Sequence, residues 1–419
     1  MHPFLADRLD KKSGVIVFLA FAAAYFCSAL VRAITATLSP VLTQEFSLQA
    51  SDLGLLAGGY FLGYAAMQLP LGKLLDRYGP KRVILYFLSV SVLGCLAFSM
   101  ATGFAWLLAA RVLVGMGVSA CLMAPLTGFR RWFDAGTLLR ANSWMLMTGS
   151  LGMLASTLPV QWLMPLTGWR PLFWVLAALI VLSMGAIAWV VPHWTLTPKV
   201  VPAARDAPLP AADTGYSEVW KSAYFQRMAP LAVFNYGGLV AVQTLWAGPW
   251  MVKVAGYSPL AAATGLFYIN ACMMVTFWLW GMVNPWLSRH GWPANRLMAW
   301  GIPLSMVSLA GNIAGGSSTG WLGWAVFCVA CSVMGLAQPA VGMAFPAALA
   351  GRALSAFNLM IFGGVFAVQW GIGLLIDAFA AAGLAQVAAF QSAMGVFLCC
   401  CIASYLWFMS KRGATVDNH

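Results

Sequence analysis

Charged side chains are scarce in this chain: only 8% of its 419 residues are Asp, Glu, Lys or Arg. Soluble domains carry such residues at about a quarter of their positions, so this composition, with 62% hydrophobic residues, excludes an ordinary soluble fold. Apolar runs of about twenty residues recur along the chain, and each is long enough to cross a bilayer as a helix. These runs do not alternate between polar and apolar positions, which excludes an outer-membrane barrel. The composition therefore predicts an all-α membrane protein.

Groups that carry catalysis or bind metals are also scarce at membrane depth. The four histidines all fall in loops or termini, at His2, His193, His290 and His419. Nine cysteines are present, but Cys328 and Cys331 form a single C-x-x-C pair with no second pair and no histidine nearby. Without a nucleophile–base pair or a ligand set inside the membrane, an intramembrane enzyme is disfavoured. We predict no catalytic residue, no metal and no cofactor.

Twelve apolar segments are predicted to span the membrane, at 15–38, 50–71, 83–102, 104–127, 141–164, 170–191, 226–250, 259–287, 296–315, 320–346, 354–377 and 388–409. Between the sixth and the seventh lies a segment rich in proline and charge, 192–225, which is predicted to be a cytoplasmic linker. The predicted domains are therefore an N-terminal six-helix bundle, 1–191, and a C-terminal six-helix bundle, 226–419.

Basic residues are distributed unevenly between the predicted loops. Of the 23 Lys and Arg residues, 19 lie on the cytoplasmic side if the N-terminus is cytoplasmic, and only Arg170 and Lys253 lie outside. This bias predicts a multi-pass protein of the inner (cytoplasmic) membrane with both termini in the cytoplasm. The net charge of +12 thus reflects topology, and we predict contact with the lipid bilayer and none with nucleic acid.

A short charged stretch, Gly72–Arg82, separates the second predicted span from the third and reads G-K-L-L-D-R-Y-G-P-K-R. Glycine at positions 72 and 79 permits a tight turn. The pattern G-x-L-x-D-R-x-G-x-K/R-R resembles the signature loop between helices two and three of the major facilitator superfamily. In the fourth predicted span, Arg111–Gly117 resembles the R-x-x-x-G-x-G motif of many branches of that family.

The resemblance implies twelve transmembrane helices in two pseudo-symmetric six-helix bundles around a central cavity, with the substrate site between the halves. It also implies a conformational motif, formed by Gly72, Asp76, Arg77, Gly79 and Arg82. In the family this loop docks on the cytoplasmic end of the eleventh helix and stabilises the outward-open state. A weak internal repeat agrees with duplicated halves, since Arg77-Tyr78-Gly79 recurs as Arg289-His290-Gly291 at an offset of 212 residues.

Two arginines, Arg32 and Arg111, fall inside predicted spans with no acidic residue at the same depth. A charge buried in the membrane is costly, so by default it faces a cavity, and an anionic substrate is its simplest partner. The setting of Arg32, with Tyr25 before it and Pro40 after it, resembles the first helix of the organic-anion-carrying branches. That resemblance implies a substrate contact, against the alternative of an arginine that snorkels to the interface. For Arg111, a general structural or coupling role fits the motif equally well.

Helix geometry puts both arginines about 9 to 10 Å from the outer ends of their predicted spans, and several polar residues fall in nearly the same layer. The predicted substrate-binding residues are Arg32, Arg111, Tyr60, Tyr64, Gln243, Trp246, Tyr268 and Gln369. The offset of 212 residues pairs Arg32 with Thr244, where organophosphate exchangers place a second arginine. A neutral group there favours a singly charged or polar substrate over a phosphate held by two arginines.

The predicted function is secondary active transport of a small anionic solute, a carboxylate or similar, by alternating access in a monomer. The fifth span lacks the Gly-Pro step typical of drug exporters, which favours import or exchange. The alternative is a proton-coupled exporter of drugs, lipids or other hydrophobic compounds. For coupling, three arrangements stay open: a proton travels with the substrate, Asp52 or Asp377 reaches the vestibule and binds it, or a counter-anion is exchanged.

Overall fold

The computed structural model describes residues 8–192 and 216–411. Almost all of these residues are helical. The α-helices are α1 (Lys11–Phe46), α2 (Ala50–Ala66), α3 (Gln68–Ser99), α4 (Phe104–Val118), α5 (Ala120–Trp132), α6 (Ala135–Ala155), α7 (Leu158–Thr167), α8 (Trp169–Val190), α9 (Tyr216–Lys221), α10 (Ala223–Leu231), α11 (Gly237–Ala241), α12 (Ala247–Lys253), α13 (Pro259–Arg289), α14 (Ala294–Gly315), α15 (Trp321–Cys331), α16 (Ala337–Met343), α17 (Ala347–Ala381) and α18 (Gln386–Ser410).

Ten helical stretches among the described residues are long and apolar enough to cross a membrane, against twelve predicted spans. The other two predicted spans are interrupted. Span 50–71 breaks between α2 and α3 at Met67, and span 141–164 breaks between α6 and α7. In each case a proline, Pro70 or Pro159, stands four residues after the last residue of the first segment. Its missing N–H and its ring prevent the bond to that residue's carbonyl, so the helix stops there.

The ends of some other helices also differ from the predicted spans. Helix α1 continues to Phe46, eight residues beyond the predicted span, with Pro40 inside it. Helix α10 begins at Ala223, three residues before the predicted seventh span, and the short helix α9 precedes it. The remainder of the predicted linker, 193–215, lies outside the described residues.

The chain reverses direction at Gly79, inside the stretch Gln68–Ser99. Gly79 has φ 74° and ψ 165°, whereas its neighbours are helical. Side chains strongly disfavour this backbone conformation, so glycine is required at the turn. The second and third predicted spans meet here, as the charged loop indicated.

Helices α1–α8 form one bundle and α9–α18 the other, with α2 and α17 packed side by side along the junction. Helix α1 also packs against Val242–Trp246 and α12 of the second half, and α13 packs against α6 and α7 of the first. We call the end of the molecule opposite Lys11 and Ser410 the distal end. An ion pair lies at this end, where Arg170 binds Glu45 at 2.6 Å. Arg170 also donates a hydrogen bond to the carbonyl of Ala101.

Candidate functional site

Arg32 lies at the junction of the two halves, on the face of α1 where three tyrosines meet. Tyr25, Tyr60 and Tyr64 all lie within electrostatic range of its guanidinium, and the Tyr60 hydroxyl lies directly beside it. No carboxylate pairs with Arg32 in residues 8–192 and 216–411, and its Nε has no hydrogen-bond partner there. Because α1 extends to Phe46, Arg32 lies about 21 Å from the distal end of the helix, deeper than predicted.

Arg111 lies inside the first bundle, with 0% of its side chain exposed. Its Nη1 donates to the carbonyl of Val31 at 2.9 Å, which ties α4 to α1 immediately before Arg32. Its Nε and Nη2 have no hydrogen-bond partner among the described residues. The two arginines therefore share one level of the bundle, with Arg111 behind Arg32 as seen from the junction. Burying a guanidinium with unbonded donors costs free energy, and an anion bound near Arg32 would reduce that cost.

Tyr60 connects the two arginines. Its ring lies under the guanidinium of Arg111, 5.2 Å from the ring centroid, and its hydroxyl lies beside Arg32. The hydroxyl is also 3.5 Å from the carbonyl of Ser28, to which it donates. The negative face of the ring offsets part of the charge of Arg111. Tyr60 is fully buried and positions Arg32, while the ring of Tyr64 stacks beside it at 6.2 Å.

The second half contributes Tyr236 and Phe362 to the same place. Tyr236 lies within electrostatic range of both Arg32 and Tyr25, and the ring of Phe362 is 4.3 Å from that of Tyr64. Neither residue was among the predicted substrate-binding residues. Tyr236 has a sequence signal, because it precedes the pair Gly237-Gly238 in the seventh span. Phe362 has none, because it is one of 25 phenylalanines.

The other predicted polar residues of the second half form a neutral network. The amide of Gln243 donates to Asn270 Oδ1 at 2.9 Å, and Gln369 Nε2 donates to Thr244 Oγ1 at 3.0 Å. Trp246 Nε1 donates to the carbonyl of Gln369 at 3.1 Å. All of these side chains are buried, and Gln369 Oε1 is left without a partner among the described residues. The network therefore has one free acceptor, whereas the Arg32 cluster has free donors.

Two π-helical turns carry these second-half residues. Residues Ala232–Tyr236 and Val242–Trp246 adopt π-helical geometry on either side of α11, within one continuous helix from Ala223 to Lys253. Such turns insert an extra residue and are frequent at functional sites. The first places Tyr236 near Arg32, and the second holds Gln243, Thr244 and Trp246 where α1 packs.

Tyr268 lies apart from the other predicted residues. Its side chain is 45% exposed, and its ring packs at 4.9 Å against that of Trp321, beside Tyr257 on the surface of the second half. The structure thus brings together the predicted residues in two clusters, Arg32, Arg111, Tyr60 and Tyr64 in one and Gln243, Trp246 and Gln369 in the other. It does not bring Tyr268 to either.

Six of the eleven signature-loop residues are exposed at the end opposite the distal end, whereas Gly79 and Lys81 are buried. Asp76 has no hydrogen-bond or ion-pair partner in the described part of the chain, and Gly72, Arg77 and Arg82 are also exposed. At the distal end, by contrast, α2 and α17 are in close contact: the backbone of Gly54 abuts the carbonyl of Gln369. The halves are therefore closed at the distal end, and Asp76 is undocked in this conformation.

Comparison with known proteins gives a family match over most of the chain. The model described as Major Facilitator Superfamily matches residues 21–368. Among solved structures, a bacterial homologue of the human lysosomal transporter Spinster, inward-facing and unoccupied, aligns with a TM-score of 0.77 over 98% of this chain and 99% of that one. The identity is 16%, so this likeness shows the fold alone.

Curated relatives match over shorter stretches. The chain is 28% identical to the probable sulfoacetate transporter SauU of Cupriavidus necator over 41% of this chain and 37% of that protein. It is 28% identical to the 4-hydroxybenzoate transporter PcaK of Pseudomonas aeruginosa over 43% and 40%. It is 33% identical to the methyl viologen resistance protein SmvA of Salmonella typhimurium over 23% and 19%. The matched stretches thus span less than half the length of each relative.

Proposed function

Because the chain belongs to the Major Facilitator Superfamily, we propose that it is a secondary transporter of a small anionic solute. It moves this solute across the inner membrane by alternating access, in the direction of import or exchange. Membership confirms the resemblance drawn from Gly72–Arg82 and places the chain in a family of transporters and not of enzymes.

One observation carries the proposal: Arg32 faces the junction of the halves without a carboxylate partner among the described residues. A charge in this position needs a counter-charge, and a carboxylate or similar anion from the solute supplies it. Tyr25, Tyr60 and Tyr64 of the first half and Tyr236 of the second converge on the same guanidinium. A bound anion would therefore contact both halves, as a solute that drives their rearrangement must.

The neutral network of the second half complements this charge. With Thr244 in place of a second arginine, it offers the solute an acceptor, Gln369 Oε1, and no positive charge. A solute that carries one negative group and one hydroxyl or other donor suits the two clusters together. Two relatives have names that fit this reading, the probable sulfoacetate transporter and the 4-hydroxybenzoate transporter.

The test is uptake by purified protein in proteoliposomes. The panel holds labelled small carboxylates, sulfonates, inorganic anions, a phosphate monoester and cationic drugs. We expect uptake or counterflow of one class of singly charged organic anion, abolished by Arg32→Ala and unaffected by Arg296→Ala, an exposed arginine of the second half. Transport of cations or neutral hydrophobic compounds that survives Arg32→Ala would refute the proposal.

A second candidate is proton-coupled export of drugs, lipids or other hydrophobic compounds. The specific observation in its favour is the similarity to a methyl viologen resistance protein. This match covers the smallest share of the chain among the three relatives. An exporter of cations would also leave Arg32 repelling its solute, so the same panel separates the two candidates.

A further inference from the structure

Asp377 joins the two halves at the distal end. It lies near the end of α17, and its carboxylate accepts hydrogen bonds from the backbone N–H groups of Ala50, at 3.1 Å, and Ser51, at 2.7 Å. These N–H groups open α2, so they have no acceptor within their own helix, and the N-terminal end of a helix attracts negative charge. A side chain of the second half thus caps a helix of the first.

Four other acidic residues of the described chain form hydrogen bonds or an ion pair within their own half. Asp10 accepts from backbone N–H groups in the first turn of α1, and Asp134 does so in α6. Asp52 binds the N–H of Gln49, immediately before α2, and Glu45 pairs with Arg170 of the same half. Asp377 differs because its carboxylate oxygens accept hydrogen bonds from a helix more than three hundred residues away in sequence.

The bonds of Asp377 depend on the closed distal end. One turn before it, the backbone of Gly373 abuts those of Ala50 and Ser51, and further along Gly54 abuts the carbonyl of Gln369. A Cβ at either glycine would collide with the facing backbone. Asp377 can reach both N–H groups only while α2 and α17 are this close, so opening of the distal end must break its bonds.

Few other charges surround Asp377. Asp52 is the one charged residue of α2, and α18 carries none. Arg352 lies at the far end of α17, and Lys253 lies at the end of α12. The tyrosines of α2, Tyr60 and Tyr64, lie deeper in the bundle. Asp377 itself is only half-buried, so protons from the distal side have access to it.

We propose that Asp377 is a proton-controlled latch. Its ionised carboxylate holds the distal ends of α2 and α17 together, and protonation from the distal side releases them. A protonated carboxyl loses the charge that the helix end attracts and presents a donor where backbone donors already face it. Proton uptake from the distal side thereby favours opening toward that side. This role does not depend on which solute binds at Arg32.

Hydrogen–deuterium exchange of the full-length protein in nanodiscs tests the latch. The N–H groups of Ala50 and Ser51 owe their protection to Asp377, so we expect Asp377→Asn to lower it roughly tenfold. Asp377→Glu retains the charge and should retain part of the protection. The matched control, Asp52→Asn, should affect Gln49 and leave Ala50 and Ser51 protected. In the wild type, protection should be lower at acid pH than at neutral pH, and in Asp377→Asn it should be low at both.

A distance measurement tests the opening itself. Nitroxide labels are placed by Gln44→Cys on α1 and Leu384→Cys after α17, in a variant whose native cysteines are replaced. We expect acid pH and Asp377→Asn each to shift the label pair towards longer separations, with no additive effect. Unchanged protection at Ala50 and Ser51, or an acid-induced opening that persists in Asp377→Asn, would overturn the proposal.

Discussion

The two halves share a topology and differ in what they place at their junction. The first half presents Arg32, with Arg111 behind it, and both guanidinium groups keep unbonded donors within the described part of the chain. The ring of Tyr60 and the carbonyl of Val31 stabilise Arg111. The second presents amides and hydroxyls that bond one another, from Gln243 to Asn270 and from Gln369 to Thr244. Pseudo-symmetry of the fold therefore does not extend to charge. Under the proposed function, the first half would recognise the charge of the solute and the second half its neutral groups.

Removing the charge of Arg32 is expected to have the largest effect on solute binding. Arg32→Ala is expected to weaken solute binding by about 30-fold or more, because loss of a desolvated charge-pair partner costs about 2 to 5 kcal/mol. Thr244→Val at the pseudo-equivalent position of the second half is the matched control. It should change affinity by less than about tenfold, since it removes a neutral hydrogen bond. Equilibrium binding of the solute found in the uptake panel measures both, and equal losses would refute the division of roles.

The signature loop offers a second contrast between the halves. Asp76 has its degraded counterpart in Ser288, which is exposed. Asp76→Asn is expected to lower the transport rate roughly tenfold, by removing a charge-assisted contact of the outward-open state. Solute affinity should stay near the wild-type value, and Ser288→Ala should leave both unchanged. A large loss of affinity with a normal transport rate would exclude this role for Asp76.

Gln369 tests the neutral network. Gln369→Leu keeps the volume and removes the free acceptor Oε1, and we expect affinity to fall about threefold to tenfold, the effect of one neutral hydrogen bond. Discrimination between anions and cations should persist, because Arg32 is intact. Competition binding with a charged and an uncharged analogue of the solute measures the two effects separately. Loss of charge selectivity would contradict the assignment.

The smallest expected effect is that of Tyr236→Phe, which tests the contribution of the second half near Arg32. The ring and its packing stay, and one hydroxyl within electrostatic range of Arg32 is lost. We expect a decrease in affinity of about two- to fivefold, below that of Gln369→Leu, because Tyr25, Tyr60 and Tyr64 remain. Binding measured for the double variant Tyr25→Phe with Tyr236→Phe checks whether the two hydroxyls act on the same group.

The sequence sufficed for the family, the membrane class and the turn at Gly79, because each depends on local chemistry: apolar run length, motif spacing and a conformation that needs glycine. Depth along a helix was also predictable in part, and Arg111 and Val31 do meet across two helices. Rotation about the helix axis was not, so Tyr268, predicted to share the layer, lies on an exposed surface. The π-helical turns that orient Tyr236 and Gln243 depend on packing between helices and left no periodic signal.

Pro70 and Pro159 are the sequence signal for the interrupted spans, since proline prevents the helical hydrogen bond to the residue four positions earlier. The hydrogen-bond partners of Asp377 could not be predicted from the sequence, because they depend on which helix of the other half lies beside α17. The substrate-binding role of the eight predicted residues remains a prediction, and so do the domain boundaries.

Thermal stability of the purified protein in detergent tests the central claim most directly. Wild type, Arg32→Ala and the surface control Arg296→Ala are each heated with small carboxylates, sulfonates, inorganic anions, amino acids and cationic drugs. Because a ligand that binds the folded state raises its melting temperature, one class of organic anion should stabilise wild type and Arg296→Ala and leave Arg32→Ala unchanged. Stabilisation by cationic or neutral hydrophobic compounds that is equal in all three proteins would contradict the claim that Arg32 binds an anionic solute.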